Sequence, residues 1–347
     1  MLQKIKILLL VMVLATFFPI VVIQFTYAQG SPASYTLMAG PKTIHWGYYS
    51  SKVESVLKIN SGDIVTIRST SGNPSLFENL GVPPDKIPQE LRDIQSIKDR
   101  GPGPHRLTGP IYINGAEPGD MLEVHIKDVK IPLEFGFNMN VWGAGTLPED
   151  FPYTSAKLLI MDRERMTSEV FPGVVIPLRP FFGSMGVAPN LEQGRISSEP
   201  PGIHGGNLDN KELIAGTILY LPIFVKGALF SAGDGHAAQG DGEVNVCGLE
   251  TELTGTFQFF VRKNKRIIWP RAETPTYFIT MGLDEDLDVA AKIAVREMIN
   301  YLHEEKGISR GDAYMLTSLA VDLHVTQLVD RVKGIHAMLP KSIFVKK

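Results

Sequence analysis

Between Leu221 and Glu250 the chain reads LPIFVKGALFSAGDGHAAQGDGEVNVCGLE, an apolar run followed by Asp234, His236, Gln239, Asp241 and Glu243 among glycines 233, 235, 240 and 242. On an extended chain, residues two apart project to the same side, which pairs Asp234 with His236 and Asp241 with Glu243. The glycines let the backbone bend sharply and come close to a ligand. Imidazole and carboxylate together suit Zn²⁺ with one position left for water, whereas several carboxylate and carbonyl oxygens suit Ca²⁺. Water on such an ion has a pKa of about 7 and supplies hydroxide to an unreactive carbonyl such as an amide. The departing nitrogen needs an acid, and Glu243, Glu117 or a histidine could provide it. A polar hairpin without chemistry has the same composition, so both readings stand at this point.

Two further stretches could converge on the first. Gly101 to Pro110 (GPGPHRLTGP) holds His105 and Arg106 on a backbone fixed by glycine and proline, and Pro200 to Asp209 (PPGIHGGNLD) offers His204, Asn207 and Asp209. Leu178 to Pro189 reads as another special loop. Brought together, these residues would make a polar pocket or a metal cage. There is no G-x-S-x-G elbow and no H-E-x-x-H, and the lone S-x-x-K match, Ser55 to Lys58, lies in an ordinary amphipathic run. The single Cys247 cannot form an internal disulfide and reads as a small buried residue, with a cysteine nucleophile as the alternative.

The elements that must hold these residues are mostly strands. Asp63 to Arg68, Met121 to Lys130, Leu158 to Asp162, Gly216 to Val225, Glu243 to Leu249 and Thr251 to Arg262 alternate in polarity between Gly and Pro turn signals. That predicts a mainly β, antiparallel sandwich or barrel, α+β overall, with two C-terminal helices. The first is Asp286 to Glu305, with Leu287, Ala291, Ala294, Met298 and Leu302 on one face. The second starts at the Ser309/Asp312 capping box and runs to Asp330, presenting Leu316, Ala320 and Leu323 to the core.

The 347 residues carry 34 Lys and Arg against 37 Asp and Glu, a formal charge of -3 without long like-charge blocks, so nothing points to a nucleic-acid partner and none is expected. Residues 1–28 open with Lys4 and Lys6, continue apolar from Ile7 to Phe25 and end in Tyr27-Ala28-Gln29. This is the plan of a secretory signal, so the chain is expected to be exported; if uncleaved, residues 7–25 would anchor it to a membrane. The expected organisation is a signal at 1–28 and one domain at 29–347, β-rich to 283 and helical from 284.

Five strings then carry a family resemblance: GPHRLTGPIYINGAEPGD (103–120), RPFFGSMGVAP (179–189), PPGIHGGNLD (200–209), ALFSAGDGHAAQGDGE (228–243) and, at the end, DLHVTQLVD with GIHAMLPK (322–330, 334–341). Together they resemble the acetamidase/formamidase family over nearly all of residues 29–347. The resemblance implies hydrolysis of the C–N bond of small linear amides by a metal-activated water, in a mainly β fold with a divalent metal, Zn²⁺ or Ca²⁺. On this reading Asp209, Asp234 and His236 bind the ion, and Glu243 or Glu117 shuttles protons. His105 or Asn207 polarises the carbonyl, while His204, Gln239 and Asp241 contact substrate. A homo-oligomer is expected. The reading from another class is an exported, non-catalytic β-sandwich that binds a ligand or Ca²⁺.

Overall fold

The computed structural model describes residues 31–345, and the signal and anchor expectations lie outside them. Strands alternating in polarity, such as Met121–Lys130 and Thr254–Arg262, must bury one face. They do so in a nine-stranded sheet in the order Ser34–Leu37, Ile64–Arg68, Thr254–Arg262, Met121–Lys130, Ile218–Pro222, Arg271–Glu273, Tyr277–Asp284, Lys333–Pro340 and Asp322–Gln327. A six-stranded sheet runs Gly205–Asn207, Phe181–Gly186, Phe230–His236, Arg106–Ile113 and Ile44–Trp46, with Leu57–Ile59 parallel to Arg106–Ile113. The two sheets meet through aromatic edges: Phe182 lies 5.3 Å from Phe257, and Phe230 5.1 Å from Phe259, ring centre to ring centre. This is a sandwich core, as the alternation predicted. A third, four-stranded sheet spans Phe135–Asn140, Ser155–Asp162, Thr167–Phe171 and Val174–Pro177.

The helix Leu287–Lys306 starts where the Asp286 side chain accepts from the backbone N–H groups of Asp288 and Val289, and ends at Gly307 in the left-handed region. Its Ala290, Ala294, Met298 and Leu302 pack on Ile335, Ala337 and Leu339. A Cβ at Gly282 would strike the Ala290 carbonyl, so helix and sheet approach closely only because that residue is glycine. No helix among the described residues is long and apolar enough to cross a membrane.

Three expectations are corrected. The second helix stops at Ala320, and Asp322–Gln327 is a strand paired with Lys333–Pro340. The alternation of Val321, Leu323 and Val325 is a period of two, which overrides the helical reading of the apolar residues there. Leu323 is exposed rather than in the core. Glu243 to Leu249 is not a strand: Glu243 and Val246 have positive φ and the segment turns back on itself. The stretch from Leu178, read as a loop, contains the fully buried strand Phe181–Gly186, paired on both edges.

Buried histidines give the fold an acid limit. His45 keeps Nδ1 2.7 Å from the Tyr48 carbonyl and Nε2 2.8 Å from the Ser231 hydroxyl, so a neutral ring donates at one nitrogen and accepts at the other. Burial lowers its pKa to about 4, and burial does the same for His204 (about 4) and His336 (about 3). In the unfolded chain each titrates near 6.5. The unfolded state therefore binds more protons between these values; the stability is whole above about pH 6.5 and is lost as pH falls toward 4. Comparing denaturation midpoints from pH 7 to 5, the native chain should lose stability faster than His45→Gln by about 1.4 kcal/mol per pH unit. Equal slopes would show that His45 is not held neutral.

Candidate active site and metal centre

The strand Phe230–His236 lies between Phe181–Gly186 and Arg106–Ile113, and its last turn carries Asp234 and His236. Phe181 packs its ring edge 5.1 Å from His236 and opposes it in register. Beside it, Gly205–Asn207 delivers Asn207 and, two residues on, Asp209. The loop after the strand folds over so that Glu243 and Glu250 return to the same point, with Glu250 bridged to both His236 and Phe137. Asp209, Asp234 and Glu243 all adopt positive φ, 46°, 59° and 43°. Such conformations are unfavourable for side chains other than glycine and are retained where the surroundings fix them, which is common at functional sites.

His236 is the centre. Its Nε2 lies 2.9 Å from Glu250 Oε1, 3.4 Å from Asp234 Oδ2 and 3.8 Å from Glu243 Oε1, and its Nδ1 lies 3.8 Å from Asp209 Oδ1. Nδ1 and both oxygens of Asp209 are buried without a hydrogen-bond partner. A Cβ at Gly183 would overlap Asp209 Oδ1 and Asp234 Oδ2 and lie 2.9 Å from His236 Cε1, so the two carboxylates and the imidazole converge on a space that only glycine leaves open. Unpartnered buried oxygens and nitrogen are costly unless something satisfies them. The donor set, imidazole with carboxylates, fits a divalent ion. Glu250 would then accept from Nε2–H and leave Nδ1 free as ligand, the carboxylate–histidine arrangement that orients metal-binding imidazoles. Glu250→Gln should weaken metal affinity by about 10- to 100-fold with the fold intact, measured by metal titration; an unchanged affinity would remove Glu250 from this role.

Charges are balanced within the cluster. Burial pushes His236 down, but the Glu250 and Asp234 carboxylates outweigh it and hold the ring well above the usual histidine range. Burial would raise Asp234, yet the neighbouring His236 and His105 hold it below the usual carboxylate range. Burial, then Glu243 and Asp234, raise Asp209 well above it. Burial likewise raises Glu243 against the pull of His236, with Asp330 and Asp234 adding to the rise. Asp330, hydrogen-bonded to Asn207 Nδ2 at 3.0 Å, is raised by burial to about 6. In the metal-free chain the His236 proton thus supplies positive charge that an ion would replace.

The members differ in exposure. Asp209 and His236 are 1% exposed, while Asp234 at 10% and His105 at 15% are nearer the solvent. His105 Nε2 lies 3.9 Å from Asp234 Oδ1, and its Nδ1 lies 2.8 Å from the Ser198 carbonyl, which requires a proton on Nδ1. A cavity of about 520 Å³ lies on the other side of the loop, lined by Lys211, Gln239, Gly248 and Leu249 among others.

The structure therefore brings together Asp209, Asp234, His236 and Glu243, with His105 beside Asp234 and Asn207 on Asp330. Gln239 is adjacent, donating 2.8 Å to the Asp209 carbonyl. Three expected residues lie elsewhere. Glu117 is exposed in the Gly115 to Asp120 turn and faces Lys226 at 3.9 Å; the acids of that turn serve the turn itself, Asp120 accepting the Glu117 N–H. His204 is buried beside Tyr49, 5.0 Å between rings, packed under an aromatic. Asp241 points away from Glu243, because the positive φ at Glu243 breaks the extended geometry that would have put them on one side. Glu250, Asp330 and Gly183 are not among the residues the sequence points to; Glu250 closes the Leu221 to Glu250 stretch but falls between two expected strands, with no motif or spacing to mark it. Cys247 offers no nucleophile: burial, then the Glu250 and Glu243 carboxylates, push its thiol up.

Residues 49–194 and 192–346 match the sequence model of the Acetamidase/Formamidase family. The formamidase of Methylophilus methylotrophus is 29% identical over 300 residues, 65% of this chain and 73% of that protein. Among solved structures, an acetamidase from Bacillus halodurans is 33% identical with a TM-score of 0.75, covering 89% of this chain and 98% of that one. An acetamidase from Yersinia enterocolitica is 26% identical with a TM-score of 0.77, covering 92% and 95%.

Proposed function

Because the chain belongs to the acetamidase/formamidase family, we propose that the buried His236 cluster is where it hydrolyses the carbon–nitrogen bond of small linear amides to ammonia and a carboxylate. The observation that carries the site assignment is the convergence of unpartnered Asp209 oxygens, His236 Nδ1 and Asp234 on the space over Gly183. Asp209, Asp234 and His236 would hold a divalent ion, with Zn²⁺ favoured by the imidazole. When bound, such an ion polarises a carbonyl and makes hydroxide available near neutral pH.

The chain's own groups do the rest. Glu250 fixes the His236 ring through Nε2. Glu243, raised by burial against the pull of His236, with Asp330 and Asp234 adding to the rise, is the group placed to deliver a proton to the departing nitrogen, whose anion would be a prohibitive leaving group. His105 donates to a substrate carbonyl only as imidazolium, since its Nδ1–H is committed to Ser198. Asn207 gives one N–H to Asp330 and leaves its own buried oxygen unpartnered, able to accept from a substrate N–H.

Formamide or acetamide incubated with the protein should release ammonia, and removal of metal by chelation should stop it, with Zn²⁺ restoring it. Release that survives chelation unchanged would overturn the metal-dependent part; absence of release from any small amide would overturn the substrate class. Export is part of the proposal, supported by the charged, apolar and small-residue plan of residues 1–28; N-terminal sequencing of the protein from producing cells tests it. Self-association is supported by Trp142, Leu147, Phe151, Ile160, Phe171 and Val175, all exposed on or beside the four-stranded sheet, and light scattering decides it.

A further inference from the structure

The cross-strand pair His324 and His336 stands outside the catalytic cluster. The two residues are direct register partners on Asp322–Gln327 and Lys333–Pro340, so their side chains rise from the same side of the sheet. Their rings stack 5.0 Å apart at 11°. The loop between Gln239 and Glu243 is pinned over them: the Gly242 N–H donates to the Thr326 carbonyl, and the Leu328 N–H donates to Gly242. That places Asp241 Oδ2 3.0 Å from His324 Nδ1, and one ligand atom from each of Asp241, His324 and His336 lies within 4.8 Å of the others. His336 is fully buried; its Nδ1 meets the Thr326 hydroxyl at 2.8 Å, and its Nε2 has no partner. None of the three belongs to the cluster around His236.

We propose that Asp241, His324 and His336 form a second divalent-metal site, for Zn²⁺, which ties the loop carrying Glu243 to the edge of the nine-stranded sheet. Two imidazoles and one carboxylate are a Zn²⁺ donor set. Ligands around tetrahedral Zn²⁺ at about 2.0–2.1 Å stand roughly 3.3 Å apart; an imidazole lone pair lies in the ring plane, so the part-exposed His324 ring must turn out of its near-parallel stack to share an ion with His336 Nε2. His324 and Asp241 are 36% and 29% exposed, which leaves an approach from solvent for the ion and for a water in the remaining position. Without the ion, Lys211 stands in for its charge, its ammonium 3.1 Å from Asp241 Oδ2. Both contacts of Asp241 fall on Oδ2, so Oδ1 can ligate while the lysine stays. Asp241 and Glu243 leave the loop in different directions, one to each donor set, so a metal here would immobilise the segment that presents the catalytic acid.

The test is the Zn²⁺ count after equilibrium dialysis of the full chain, by elemental analysis, on native protein, His324→Ala and Asp241→Asn, with far-UV circular dichroism confirming that each is folded. His324 and Asp241 sit at the surface, so neither change empties the core. Each variant is expected to hold one Zn²⁺ per chain fewer than the native protein, and His324→Ala to keep amide hydrolysis by the ion at His236. If either folded variant holds as many Zn²⁺ as the native chain, the second site does not exist.

Discussion

Gly183→Ala should lower kcat/KM for amide hydrolysis by about 100-fold or more, the scale of loss from a misplacement near 1 Å in a reacting constellation. Gly183 sits in a fully buried strand at a negative φ, where alanine costs the backbone nothing. The added methyl has no such freedom, since Asp209 Oδ1, Asp234 Oδ2 and His236 Cε1 already surround its position. Either the two carboxylates swing away and the ion is lost, or the strand shifts and carries Phe182 and Ser184 with it. Ammonia release and metal content, read on the same preparation, should fall together while the circular dichroism spectrum persists. Turnover within a few-fold of native would mean that these side chains do not meet over Gly183 during the reaction.

His236→Asn should be as severe, with turnover reduced on the order of 10³-fold. The substitution removes Nδ1 from Asp209 and takes from Glu250 the partner it contacts at 2.9 Å. It also leaves Asp209, Asp234, Glu243 and Glu250 crowded with no positive charge between them. Breaking a buried ion pair in this way costs about 3–5 kcal/mol, so a lower denaturation midpoint is expected as well. Chelated native protein separates the two effects: it should lose turnover and keep the midpoint set by the imidazolium. A folded His236→Asn protein that still releases ammonia at the native rate would remove the histidine from the mechanism.

The fold was legible where a strand or helix buries one face. Met121–Lys130 and Leu287–Lys306 stand where their periods of two and of 3.6 put them. It was not legible where glycine allows close approach: Phe181–Gly186 looks like a loop because its glycines lack apolar alternation, yet they are there to admit neighbouring backbone and the site carboxylates. The site was legible as donor types on a glycine-bent stretch, and Asp209, Asp234, His236 and Glu243 do meet. Glu117 and Glu250 show why spacing alone fails. Both are acids beside turns, and only the long-range fold decides that one meets Lys226 in solvent while the other crosses back to His236. Asp241 is assigned by an extended geometry that the positive φ at Glu243 breaks.

The left-handed backbone at Asp209, Asp234 and Glu243 carries an evolutionary corollary. A left-handed non-glycine residue is a standing expense of about 1 kcal/mol or more, and at Asp209 and Glu243, where neighbouring carboxylates add to the strain, a drift to glycine would make a sturdier protein that has forgotten its reaction. Selection for durability and selection for turnover pull in opposite directions at these codons. A descendant that kept the sandwich and swapped these acids for glycine would be recognisable as a retired enzyme before any assay was run.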